Sequence, residues 1–139
     1  VMWLGDGCGS RRGMQAAAGA LNDRDNGNPT RFHHVPEFYN HDKVRQYIQE
    51  TLGIPEQLEY NASRGSDGIH EELSISSIMS VIDPTSIRFD QRVKAGRASI
   101  NGISLEPLSQ TQELGRKLIE FRTRITVDAI QALRAGSRD

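Results

Sequence analysis

A single cysteine, Cys8, stands in a chain of 139 residues, so no internal disulfide can form. That excludes a disulfide-stapled scaffold and fits a reducing compartment. Charge of one sign is equally lacking: 17 basic and 18 acidic residues leave a net charge of −1. Without a global field, neither nucleic acid nor an anionic membrane is an expected partner, except through a local patch. No apolar run is long enough to span a bilayer and no signal peptide is visible, which makes the cytoplasm the expected location. There is no internal repeat and no low-complexity segment. The chain is expected to form one domain over residues 1–139, burying roughly 65–70% of its unfolded surface without metal or disulfide support.

What is present gathers at the start, in residues 1–14, VMWLGDGCGSRRGM. Val1, Met2, Trp3 and Leu4 form a short apolar run suited to a strand buried on both faces, which points to an α/β layer. This first strand arrives without a lead-in. Gly5, Gly7 and Gly9 then allow a sharp turn and a close approach to a ligand or to neighbouring backbone. A helix follows, with Met14, Ala17, Ala18 and Leu21 on one face and Ser10 as N-cap. Strand, loop and helix together are expected to set Asp6, Cys8, Ser10 and several free N–H groups at the C-terminal edge of a sheet.

Further along, residues 22–29 (NDRDNGNP) end the helix, and residues 30–39 (TRFHHVPEFY) read as a second strand that Pro36 interrupts. In an intact strand His33 and His34 point to opposite faces and cannot serve one site. Asn40 opens a helix lined by Val44, Tyr47, Ile48 and Leu52, with Gly53 as its stop. Residues 54–68 form an irregular connection. A helix over 69–82 is predicted to bury Ile75, Ile78, Met79 and Ile82, and Asp83-Pro84 ends it or restarts a short helix that stops at Gly96. Asn101-Gly102 within residues 98–105 signals a hairpin. After Pro107, Ser109 and Gln112 form a capping-box pattern, and Leu114, Leu118, Phe121, Ile125 and Ala129 give the closing helix a face to pack on the sheet. The charges from Arg116 to Arg124 read as a solvated helix face.

The segment Asp67-Gly68-Ile69-His70-Glu71-Glu72-Leu73-Ser74-Ile75-Ser76-Ser77 is where a resemblance enters. With the Gly-rich opening, the Pro36-Glu37-Phe38-Tyr39-Asn40 stretch and the spacing to Asp83-Pro84, it resembles the creatininase family of metal-dependent amidohydrolases. The likeness spans nearly the whole chain and about the C-terminal half of a typical family member. Leu4-Gly5-Asp6-Gly7-Cys8-Gly9 is similar to the family's Asn-Gly-His-Gly-Gly-Asn motif, which puts its metal-ligand histidine on Asp6. His70 falls on the catalytic histidine. The family's acidic neighbour falls on Ile69, with Asp67, Glu71 and Glu72 close by. The family's N-terminal Glu-x-His-Gly segment and its later Asp have no counterpart here.

The resemblance implies a truncated creatininase-like α/β core with a short, mostly parallel sheet, a small hairpin and a long C-terminal helix. It further implies C–N amide hydrolysis with His70 and Glu71 as catalytic groups, substrate contacts from Gly7, Cys8, Ser10 and Tyr39, and a divalent metal, Zn or Mn, at Asp6. A second reading is a non-catalytic protein that binds a small molecule, a phosphate or a nucleotide through the loop from Gly5 to Gly9, with Arg11 and Arg12 beside it. A third is an assembly module. Full-length relatives oligomerise, and an apolar first strand that has lost its covering neighbours invites association. At least a homodimer is expected. Sedimentation at micromolar concentration checks this; a strict monomer with Trp3 fluorescing as a buried residue would show that the chain covers its own first strand.

Overall fold

The computed structural model of the chain describes residues 2–3, 10–55 and 72–136. In chain order these form β1 (Met2–Trp3), α1 (Arg11–Arg24), β2 (His33–His34), a 3-10 turn (Glu37–Tyr39) and α2 (His41–Gln46), which passes into a π turn (Tyr47–Thr51). After the undescribed 56–71 come α3 (Leu73–Ile82), α4 (Phe89–Lys94), the strands β3 (Ser99–Ile100) and β4 (Ile103–Ser104), and α5 (Leu108–Gly136). The chain divides into two compact units, residues 1–41 with 122–139, and residues 42–121.

The expectation of an α/β fold on a mostly parallel sheet is corrected: the described chain is mainly helical. β1 and β2 do pair in parallel, Met2 with His33 and Trp3 with His34, but each strand is two residues long, whereas α5 has 29. The reason lies in where the backbone donors of the expected second strand go. Thr30 N–H donates to the Asn28 side chain at 2.9 Å and Phe32 N–H to the Asn22 side chain at 2.8 Å. Pro36 has no N–H, and Tyr39 N–H turns back to the Pro36 carbonyl at 3.0 Å. Asparagines thus satisfy groups that a strand would have presented to a neighbour, and no long ladder can form.

Local signals elsewhere are kept. Gly53 (φ 66°) and Gly96 (φ 65°) follow the π turn and α4 in the left-handed conformation that ends helices. Asn101 (φ 49°) and Gly102 (φ 80°) turn the antiparallel β3–β4 hairpin. Asp83 ends α3, its carboxylate accepting from Thr85 Oγ1 at 2.7 Å and Thr85 N–H at 2.9 Å. These bonds, the Thr85 hydroxyl foremost, hold the Asp83 carboxyl below the ordinary aspartate range.

Within residues 42–121 the core is Val44, Ile48 and Leu118, flanked by Tyr47, Ile54, Ile78, Leu114 and Phe121. The Leu52 N–H to Tyr47 carbonyl bond, five residues back, is the π turn, and Tyr47 lies stacked on Phe121 with centroids 4.2 Å apart and planes 5° from parallel. Up to Phe121 the closing helix therefore packs on helices. Its approach to α3 is close: a Cβ on Gly115 would meet the Ser77 carbonyl group, with Ser77 C and Val81 Cγ2 both at 2.7 Å.

That contact overturns the predicted face of α3. Leu73, Ser74, Ser76, Ser77 and Ser80 are buried, while Ile82 is 69% exposed, because only small side chains fit where two helix backbones nearly touch. Gln112 does not close a capping box either; its Nε2 donates across to the Ser80 carbonyl at 3.0 Å. On α5 the buried positions are Thr111, Gly115, Leu118, Arg122 and Thr126. The predicted Leu114, Phe121, Ile125 and Ala129 lie half-buried beside them.

Gly115→Ala is expected to destabilise the protein by about 2 kcal/mol, since the added methyl meets backbone that cannot rotate away. Its gain in helix propensity, about 1 kcal/mol, does not offset this. Gly13→Ala on α1, where a Cβ would meet nothing within 4 Å, is expected to stabilise. Urea unfolding of the two variants measures the contrast, and an equal shift in both would disprove the close helix approach.

A candidate ligand cleft beside His33 and His34

The unit made of residues 1–41 and 122–139 builds its cleft from α1 outward. Ser10 precedes α1 and its carbonyl takes the Met14 N–H at 2.8 Å, without a side-chain cap. Ala18 is the buried residue of α1, with Met14, Ala17 and Leu21 half-buried beside it. At the other end of the helix, Asn22 clamps the chain leading into β2: its Nδ2 donates to the Phe32 carbonyl at 2.9 Å while its Oδ1 takes the Phe32 N–H at 2.8 Å. The side-chain amide thereby imitates one rung of a sheet and fixes His33 and His34 against the helix.

Between α1 and this strand lies an open cleft of about 440 Å³. Arg11, Gln15, Asn22, His33 and His34 supply its polar groups, and Ala18, Gly19, Phe32 and Pro36 its apolar ones. Among the described residues no carboxylate lines it, and its guanidinium, amide and imidazole groups suit negative charge or acceptor atoms. A second cleft, about 500 Å³, shares His33 and His34 and adds Glu37, Ala129, Ala132 and Leu133. Glu37 Oε2 is buried with no hydrogen-bond donor among the described residues.

Arg122 is the largest fully buried side chain. Its Nη1 donates to the Phe38 carbonyl at 3.2 Å, and the guanidinium lies 5.6 Å from the Phe38 ring centroid. Phe38 in turn meets Tyr39 edge to face at 5.1 Å. The solvated-face reading of the closing helix holds for Arg116 and Lys117, paired with Glu113 at 3.4 and 3.8 Å on the surface, and fails for Arg122.

Of the residues singled out from the sequence for the amidohydrolase reading, Ser10 and Tyr39 are described and neither lines the two clefts around the histidines, whereas Arg11, singled out for anion binding, lines the first. Asp6, Gly7, Cys8, His70 and Glu71 lie outside the described residues. Among the described residues, no group of three or more His, Cys, Asp or Glu is placed to hold a metal ion. His33 and His34, read as alternating residues of a longer strand that could not serve one site, form a strand of two residues and both border each cleft. The available signal was the adjacent pair itself, just before Pro36.

No helix of the described residues is long and apolar enough to cross a membrane. No protein-family model, no curated protein and no solved structure matches the chain.

Asn22→Ala removes both bonds to Phe32 and is expected to cost about 1–3 kcal/mol. Amide exchange should accelerate at Phe32 before it does in α3; unchanged protection at Phe32 would show that the clamp does not hold the strand.

Proposed function

We propose that this protein is a small-molecule-binding domain whose ligand carries an anionic group, a phosphate or carboxylate, and sits between α1 and the His33–His34 strand. The observation that carries the reading is the convergence of Arg11, Gln15, His33 and His34 on one cleft of about 440 Å³ that no carboxylate among the described residues lines. Arg11 presents a planar fork of donors suited to two oxygens of a phosphate or carboxylate. Phe32 and Pro36 offer flat apolar surface for the body of the ligand. Residues 5–9, read from the sequence as a phosphate cradle, precede Arg11 in the chain and lie outside the described residues.

The amidohydrolase reading rests on Asp6, His70 and Glu71 by resemblance. Those three residues lie outside the described ones, and ligand binding at the described cleft is the function put forward.

A panel of nucleotides, sugar phosphates and small carboxylates is the test, read by thermal shift and then by calorimetry. A ligand selective for the native state raises the melting temperature. Arg11→Gln should weaken the best ligand by about tenfold, the loss of one charge-assisted bond. Equal affinity in wild type and Arg11→Gln, with Arg11 exposed and its replacement tolerated, would remove the cleft from consideration.

A further inference from the structure

The unit of residues 42–121 holds a separate cluster of arginines. Arg88, Arg92 and Arg97 border one open cleft of about 380 Å³. Arg88 and Arg92 also border a neighbouring cleft of about 390 Å³, whose other walls include Ile75, Met79, Ile87, Ser76 and Ser86. Among the described residues no acidic residue lines either space and none of the three arginines is ion-paired. Arginines in a protein of balanced charge ordinarily find carboxylates, and Asp83 and Asp90 lie close in sequence without lining either cleft.

The backbone keeps the three together. Arg88 N–H donates to the Thr85 carbonyl and Arg92 N–H to the Arg88 carbonyl, both at 3.0 Å, and Arg97 N–H donates to the Arg92 carbonyl at 2.8 Å. Arg92 Nε is fixed by the Ile87 carbonyl at 2.9 Å, which orients its guanidinium and leaves its terminal nitrogens for another acceptor. Arg88 holds a left-handed backbone at φ 51°, a conformation unfavourable for a side chain with a Cβ and ordinarily given to Gly or Asn.

The second cleft differs from the first in kind. Ile75 and Met79 lie on one face of α3, and Ile82, one turn further along that face, is 69% exposed. Ile75 and Met79 thus give the space that Arg88 and Arg92 border an apolar wall.

We propose that the paired clefts bind an amphiphilic organic phosphate, its phosphate held by Arg88, Arg92 and Arg97 and its apolar tail lying along Ile75 and Met79. Charge complementarity selects the head, since three guanidinium groups with no ion pair among the described residues match the oxygens of a phosphate. The tail follows from the apolar wall that shares two of those arginines. This site is independent of the cleft beside His33 and His34.

Calorimetry with octyl phosphate below its micelle concentration tests the proposal, with inorganic phosphate, neutral octyl glucoside and phosphatidylglycerol vesicles as comparisons. Octyl phosphate should bind one to one and about tenfold more tightly than inorganic phosphate, as expected from partial burial of the tail. Arg88→Gln and Arg97→Gln, both at exposed positions, should each weaken octyl phosphate by about tenfold with the helical circular dichroism unchanged. Met79→Ser, or Ile75→Thr should the first variant unfold, should reduce octyl phosphate to the affinity of inorganic phosphate. The proposal is overturned if Arg88→Gln and Arg97→Gln bind as wild type, if octyl glucoside binds as well as octyl phosphate, or if only vesicles bind. Loss of octyl phosphate in Arg11→Gln but not in Arg88→Gln would place the ligand in the other unit and overturn it too.

Discussion

The Ser77 carbonyl set against Gly115, with no room for a methyl group between them, is the constraint on which the packing of residues 42–121 depends. Two helices this close can bury only small side chains along the contact, so Ser76, Ser77 and Ser80 go inside and the bulky residues of α3 go to its margins. Burying serine in place of isoleucine forgoes hydrophobic stabilisation, and the hydroxyls must find partners. Ser80 Oγ donates to the Ser77 carbonyl at 2.7 Å, whereas the buried Ser77 Oγ has no partner among the described residues. Dispersion between closely packed helix backbones and the Gln112 bond to Ser80 offset part of that cost. The apolar strip beside the arginines is a consequence of the same contact: isoleucines displaced from the helix interface must face something else.

A different economy governs the residues around α1. With two-residue strands there are few ladder bonds, and side chains do what neighbouring strands usually do. Asn22 holds both polar groups of Phe32, and Asn28 holds Thr30 N–H while its carbonyl takes the Arg31 guanidinium. Side-chain clamps of this kind satisfy a few backbone groups but cover little surface. Clefts therefore remain on either side of His33 and His34, bordered by residues that a full sheet would have paired and covered.

Both candidate sites have arginine without carboxylate. Arg11 borders one, and Arg88, Arg92 and Arg97 the other, in a chain whose acidic and basic residues nearly balance. Net charge describes long-range attraction, whereas a ligand responds to the few groups within bonding distance, where neighbouring charge is far less screened. A neutral total is thus compatible with two anion-selective surfaces. Arg122 is the contrasting case: its guanidinium is buried against Phe38 and serves the interior.

The sequence by itself determined what depends on a few consecutive residues. Asn101-Gly102 specified the hairpin, Gly53 and Gly96 the stops after their helices, and Asp83 the end of α3, because each follows from the local preferences of the backbone. It also contained the periodic apolar residues of α1 and of the closing helix. The tertiary structure decided which side of each helix is inside, and here the apolar stripe of α3 was misleading: Gly115, more than thirty residues away, admits serines and turns Ile82 outward. It decided as well that the residues before His33 would not extend the strand, since the Thr30 and Phe32 donors are taken by Asn28 and Asn22. The loop at Gly5 to Gly9 and the segment at His70, on which the family resemblance rests, belong to residues outside those described. The arginine cluster was unreadable for a related reason. Charges four to nine positions apart look like a solvated helix face until α4 and the turn after it bring Arg88, Arg92 and Arg97 around one cleft, with no carboxylate of the described residues among its walls.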